Sequence, residues 1–351
     1  MDEFSIISKY FKPLATKFIG SLALSDDAAI ISPPENCELV ITKDAITQGI
    51  HFIGNEPPEL IAGKALRVNL SDLAAMGATP FCYFLALMLP RDFPHPSPLP
   101  EGEGTYYWIE KFTEGLKDTQ EKFNISLAGG DTTSTEGNLT ISITAIGAVP
   151  NGKALRRDGA KVGDDIYVSG TLGDSALGLE LLLSHQEQSK DFAKRGQQTE
   201  SVLSYASWDF QEKIPEAIIK EKNLINRYLI PQPRLELGIA LRDIATSAMD
   251  ISDGLAQDIG HICSASGVGA IIHADKIPNS GADIQTTISG GDDYELLFTA
   301  PPDKKNIIEE LSKKLSLQIT NIGKTTDENK VKILDENNNI IELHKKGFTH
   351  F

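Results

Sequence analysis

Strand-like and helix-like segments alternate over the first 150 residues, and the same alternation starts again after Pro150. Each such segment must bury an apolar face against a neighbour, so interleaved strands and helices specify α/β layers. Residues 38–42 (ELVIT), 81–89 (FCYFLALML), 125–128 (ISLA) and 139–149 (LTISITAIGAV) read as strands, being β-branched or apolar and bounded by turn residues. Pro58 to Ala75 reads as a helix, because Pro58 suits a first turn and Leu66, Leu70, Leu73 and Ala74 recur at helical spacing. A second helix is expected over Tyr106 to Phe123. Later, DIYVSG (165–170), residues 268–273 and ELLFTA (295–300) read as strands, with helices in TLGDSALGLELLL, near 235–246 and after Asp253. A chain of 351 residues exceeds one ordinary core, so two domains are expected, over 1–150 and 151–351. Two insertions interrupt them. Residues 94–104 (PHPSPLPEGEG) hold too much Pro and Gly for an element and read as an exposed, mobile loop. Residues 185–223 are polar and weakly periodic, and read as peripheral.

Charge and cysteine usage exclude several functions. A net charge of −16 argues against nucleic acid or an anionic membrane as the main partner. It still permits a phosphorylated substrate, provided divalent cations lie between carboxylate and phosphate. The longest apolar run, Phe81 to Leu89, is too short for a membrane helix, and MDEFSIISKYF lacks the basic start of a signal peptide. Cys37, Cys82 and Cys263 are too few and too scattered for a disulfide framework or a thiolate metal site. The chain reads as soluble and cytoplasmic.

Six stretches set aspartate beside glycine or at the ends of elements: SDDAA (25–29), ITKDA (41–45), NLSDLAAMGA (69–78), LAGGDTT (127–133), MDISDGL (249–255) and SGGDDYEL (289–296). Hard carboxylate oxygens on tight turns are what magnesium takes, usually with phosphates and water completing its six ligands. Each stretch has a plainer reading. Gly129-Gly130-Asp131 suits a simple turn, and Asp253 suits a helix N-cap. Asp250 ends an apolar segment and is harder to explain that way, while Asp72 shares a helix face with Asn69 at the rim of buried surface. Arg156-Arg157 can take phosphate bidentately or simply face solvent. His51 can contact a substrate phosphate or serve the fold. Gly147 to Ala154 almost spells a P-loop, but Ala154 stands where Ser or Thr is needed, and the segment reads as a linker.

In this order, NLSDLAAMGA, GGDTT, DISDGL and GGDDYEL resemble the thiamine-monophosphate kinase family, within the superfamily of the aminoimidazole ribonucleotide synthetases. The resemblance runs from FSIISKYF to KGFTHF, apart from the insertions. It implies a two-domain α/β (α+β) PurM-like fold, an N-terminal sheet-plus-helix domain that joins a second copy's in a dimeric barrel, and an ATP site along the domain cleft. It also implies residue roles. Asp27, Thr42, Asp44, Asp72, Asp131, Asp250 and Asp253 match magnesium ligands; Gly130, Asp131, Arg157 and Ser252 match ATP contacts; His51, Asp292 and Phe348 match positions near the thiamine phosphate. Two residues depart from the pattern. Lys43 stands where Thr is frequent, and Phe348 replaces a common Tyr.

The expected activity is direct in-line transfer of the ATP γ-phosphoryl group onto thiamine monophosphate, the last step of thiamine diphosphate biosynthesis. Several Mg2+ ions would offset the repulsion between two anions, with no single catalytic acid or base. The rivals are other ATP-dependent enzymes of the superfamily (a ribonucleotide cyclo-ligase, or a selenophosphate synthetase, against which the context of Cys37 weighs), a non-catalytic Mg–nucleotide sensor, and a Mg-dependent phosphatase.

Overall fold

The structure, a computed structural model, describes residues 3–91, 103–194, 216–344 and 347–348. Most of the first insertion (94–102) and the middle of the second (195–215) lie outside them. The chain forms two compact units, Met1–Leu73 with Ala78–Ala154, and Ala74–Gly77 with Leu155–Phe351.

The N-terminal unit opens with two short helices, α1 (Glu3–Ile6) and α2 (Lys12–Ala15), joined by a π turn. Then follow β1 (Cys37–Thr47), α3 (Pro58–Ala75), β2 (Thr79–Pro90), α4 (Glu103–Phe123), β3 (Ser126–Thr135) and β4 (Thr140–Pro150). Helix α3 has the bounds its periodicity predicts, whereas α4 begins three residues before Tyr106. The sheet order is β1-β4-β2-β3. Strands β1 and β2 run antiparallel to β4, while β2 and β3 are parallel and therefore need the crossover that α4 supplies. Tyr83, wholly buried, donates its hydroxyl to Gln120 of α4 at 2.7 Å, and the Gln120 amide reaches Leu14 O at 3.0 Å. That chain of bonds ties sheet, helix and N-terminal segment together.

Strand β3 differs from its sequence reading. The strand does not stop at Ala128; it continues through Gly129, Gly130 and Asp131 to Thr135, paired with Phe84 to Pro90. A register shift at Tyr83/Phe84 leaves Ala128 as the extra residue, a β-bulge that re-aims the strand just before the glycines. Gly130 is required by close approach, since a Cβ there would lie 2.0 Å from Leu85 O. Pairing with a long neighbouring strand overrides weak local β propensity.

The C-terminal unit contains β5 (Asp165–Ser169), α5 (Asp174–Lys194), α6 (Glu216–Leu229), α7 (Leu235–Ala240), β6 (Ser247–Asp250), α8 (Leu255–Ser266), β7 (Gly269–His273), α9 (Ile284–Ser289), β8 (Leu296–Ala300), α10 (Lys305–Leu315), β9 (Ile319–Thr326) and β10 (Val331–Leu334). Its sheet order is β10-β7-β9-β5-β8-β6, antiparallel except for the β10–β7 pair. One face packs on α8, where Leu255, Ile259 and Ile262 meet Ile166, Val168 and Ile322 in a continuous core. Helix α7 ends at Ala240, short of the expected 246, and a turn carries the chain into β6.

Candidate active site

Thr42 and Asp44 alternate with Lys43 along β1, so those two share one face of the strand. Helix α3 answers with Asn69 and Asp72, three residues apart and therefore side by side. The Thr42 hydroxyl donates to Asp72 Oδ2, and the Asp44 N–H donates to Asn69 Oδ1 at 3.1 Å. Burial, then the charge and contact of Asp72, push Asp44 up to about 7. Two half-buried carboxylates pressed together repel each other, and either a shared proton or a divalent cation relieves that repulsion. Lys43 supplies no such relief from this face. Its Nζ lies exposed, 3.5 Å from Thr144 Oγ.

Glycine 130, Leu85, Ile143 and Asp44 lie in one register row across the four strands. Three strand spacings separate its ends, roughly 14 Å along the sheet. Asp131 follows on β3 and is exposed. Asp27 sits on a turn whose N–H bonds to Asp26 Oδ1 at 2.9 Å, and it lines the same cavity as Gly130 and Asp131. His51 accepts the Thr47 N–H at Nδ1 (3.0 Å), which places the proton of the neutral ring on Nε2.

In the C-terminal unit, Asp250 ends β6 with 3% exposure, and a tight loop carries Ser252, Asp253 and Gly254 into α8. Asp253 is not the cap. The helix starts at Leu255, and the carboxylate of Asp258 accepts the N–H groups of Ser252 (3.1 Å), Asp253 (3.3 Å) and Gly254 (3.1 Å). Burial and the Asp253 charge push Asp258 up to about 7, against the pull of those three donors. Gly254 holds φ of 122°, which a side chain rarely allows. The Asp253 carboxylate is thereby left to the Gln257 amide, at 2.8 Å.

Two further candidates meet this loop. The Asp292 N–H donates to Ser252 O at 2.8 Å, and the Phe348 N–H donates to Asp253 O at 3.0 Å. Asp292 and Tyr294 are both left-handed, with φ of 65° and 51°, and the Tyr294 hydroxyl reaches Asp292 Oδ1 at 3.2 Å. Between and beside them, Asp293 and Glu295 point inward. Asp293 accepts Gly173 N (2.7 Å) and Ser175 N (3.2 Å), and burial pushes it up to about 7 although Arg227 opposes the shift. Glu295, with no exposed surface, accepts Ser169 Oγ (2.5 Å) and Arg234 Nε (2.6 Å), and pairs with Arg227 at 2.9 Å. Sequence reasoning missed Asp258, Asp293 and Glu295. The only signal for the last two is acidic residues clustered in SGGDDYEL beyond what a solvated turn needs. Arg156 is committed to Asp158 (2.6 Å), whereas Arg157 is exposed and its carbonyl holds Ser266 Oγ at 2.8 Å.

Among the described residues, no three or more His, Cys, Asp and Glu side chains gather as a ready-made metal cage. The Asp44–Asp72 pair nonetheless fits a magnesium ion, because it concentrates hard oxygen and negative charge and leaves ligand positions for phosphate and water. Also among the described residues, no helix is long and apolar enough to cross a membrane.

Comparison with known proteins shows the family of the chain. Residues 25–149 match the model for "AIR synthase related protein, N-terminal domain", and 161–336 match its C-terminal domain. A thiamine-monophosphate kinase of Haemophilus influenzae is 37% identical, covering 100% of this chain and 98% of that protein. The crystal structure of a thiamine-monophosphate kinase from Stenotrophomonas maltophilia shares 39% identity at a TM-score of 0.72, covering 88% of this chain and 89% of that one. A structure described as AaThiL complexed with AMPPCP and TMP shares 29% identity at a TM-score of 0.70, covering 96% of each chain.

Proposed function

We propose that this chain, which belongs to the thiamine-monophosphate kinase family, transfers the γ-phosphoryl group of ATP to thiamine monophosphate. The observation that carries the reading is the Thr42–Asp44–Asp72 cluster, a paired-carboxylate site on a strand and a helix of a chain 37% identical to a named thiamine-monophosphate kinase. A phosphate oxygen of thiamine monophosphate attacks the γ-phosphorus in line. The new P–O bond forms as the bond to the bridging β,γ-oxygen breaks, and the electron pair leaves on ADP. The attacking phosphate is already ionised near neutral pH, so no side chain has to take a proton from it.

Positioning and charge then supply the rate. Asp27, Thr42, Asp44, Asp72 and Asp131 in one unit, and Asp250 and Asp253 in the other, are the residues that would hold magnesium. When bound, these ions offset the negative charge of the two reactants and of the transferring group. Gly130 offers backbone to a phosphate, Arg157 a guanidinium and Ser252 a hydroxyl. His51 donates from Nε2 to the phosphate of thiamine monophosphate. The Phe348 ring stacks on the cationic heterocycle, and Asp292 balances its charge.

The proposal also makes the enzyme a cytoplasmic homodimer, joined through the sheet of the N-terminal unit. Ile41 of β1, 62% exposed, is a large apolar side chain that such a joint would cover. Light scattering during size exclusion tests the dimer. The activity is tested with γ-labelled ATP, Mg2+ and thiamine monophosphate. Label in thiamine diphosphate is expected; ADP released only with a formylglycinamidine ribonucleotide would overturn the reading.

A further inference from the structure

The loop that carries Asp292 is held in an unfavourable shape. Asp292 and Tyr294 are both left-handed, and residues with a Cβ keep that conformation only where their surroundings fix it. One side of the loop is clipped to the chain that leads into α8. The Asp292 N–H donates to Ser252 O and the Tyr294 N–H to Ile251 O, both at 2.8 Å. The other side faces inward through Asp293 and Glu295, which are 1% and 0% exposed.

Two arginines meet that inner side, and they are not equivalent. Arg234, just before α7, turns its fork onto Glu295, with Nε 2.6 Å from Oε2. It brings one positive charge and two N–H groups, which match one buried carboxylate. Among the described residues, its side chain pairs with Glu295 alone. Arg227, on α6, adds a second guanidinium to the same carboxylate, with Nη1 2.9 Å from Oε1. Glu295 needs no second cation to be neutralised. The other terminal nitrogen, Nη2, reaches two backbone carbonyls instead, Asp293 O at 3.1 Å and Thr171 O at 3.3 Å. Arg227 thus grips the peptide group that joins Asp293 to Tyr294. The Asp293 carboxylate completes the join by accepting Gly173 N–H and Ser175 N–H from the segment just after Thr171.

We propose that Arg227 is a positioning residue for thiamine monophosphate. By holding the peptide after Asp293 it fixes the Asp292 carboxylate, which balances the charge of the heterocycle. The inference rests on the kinase reading, which gives Asp292 that role. Arg227 acts through Asp292 and not on the reactants. A purely structural role, neutralising Glu295, would make Arg227 and Arg234 interchangeable. The experiment separates the two.

Lys and Gln are placed at each arginine, so that the outcome does not depend on the folding of one protein. Neither side chain spans Glu295 and both carbonyls as the planar guanidinium fork does. Steady-state kinetics in both substrates is recorded with melting temperatures. Both positions should lose thermal stability, because each serves the buried Glu295 charge. Arg227→Lys and Arg227→Gln should raise the KM for thiamine monophosphate at least fivefold and leave the KM for ATP within twofold. Arg234→Lys and Arg234→Gln should leave both KM values within twofold. In an Asp292→Ala background, Arg227→Lys should change the KM for thiamine monophosphate less than twofold, since the group it positions is already gone. Equal KM changes at the two arginines overturn the inference, as does an undiminished effect of Arg227→Lys without the Asp292 carboxylate. If the unaltered enzyme forms no thiamine diphosphate, the kinase reading falls and this inference falls with it. With an active unaltered enzyme, either of those two results overturns the inference alone.

Discussion

The backbone N–H of Phe348 donates to the carbonyl oxygen of Asp253 at 3.0 Å, joining the last described residues to the loop that enters α8. Asp253 is anchored from behind by Asp258 and Gln257, and Ser252 O receives the N–H of Asp292. Residues nearly a hundred positions apart thus share one small framework, and the stiffness of that framework fixes where Phe348 and Asp292 stand.

Phe348→Ala keeps this backbone bond and removes the ring, which is 40% exposed. Ring–cation stacking is worth ~1–2 kcal/mol, or roughly 5–30-fold. The KM for thiamine monophosphate should rise by that factor while the KM for ATP stays put, and Phe348→Tyr should behave like the unaltered enzyme. Steady-state kinetics in both substrates checks this.

One oxygen of Asp258, Oδ2, accepts all three N–H groups, and Asp258→Asn replaces it either with a weaker, uncharged amide oxygen or with an NH2 group that cannot accept at all. Loss of a charge-assisted, buried network costs about 2–3 kcal/mol. Urea unfolding should show a lower midpoint with an unchanged slope, and kcat should fall because Ser252 and Asp253 lose their fixed positions. A variant as stable and as active as the original would remove Asp258 from the account.

Asp293 makes stability depend on pH. Its folded value, about 7, lies above the ordinary 3.8 because the group is buried. Between those values the native state keeps a proton that the unfolded chain has released, so this group's contribution to stability falls as pH rises from about 4 to 7 and is level above that. Asp293→Asn should remove that part of the slope. Urea midpoints of both proteins at pH 5, 6, 7 and 8 measure the difference, and parallel curves would show that Asp293 carries no proton in the fold.

Much of this was legible in the chain, for identifiable reasons. Pro58 and the recurring leucines gave α3 its true bounds, since capping and periodicity are local properties. The aspartate stretches pointed to candidate positions, of which Thr42, Asp44 and Asp72 meet in the fold. What stayed hidden depends on distant partners. Gly129 to Asp131 look like a turn until β2 lies beside them, and Leu85 O explains the glycine. Asp258 looks like one more polar residue on a helix until the chain folds three N–H groups onto it. Strand β9, with Thr, Asn, Gly and Lys among eight residues, shows its place only between β7 and β5.

The most direct test is the rate of thiamine diphosphate formation by Asp72→Asn, with its melting temperature measured in the same buffer. Neutralising one member of the Asp44–Asp72 pair relieves repulsion, so the fold should keep or slightly raise its melting temperature. Loss of a metal-holding carboxylate should cut turnover by about a thousandfold or more, on the scale of removing a principal electrostatic contributor. A well-folded Asp72→Asn enzyme that turns over at close to the original rate would contradict the account.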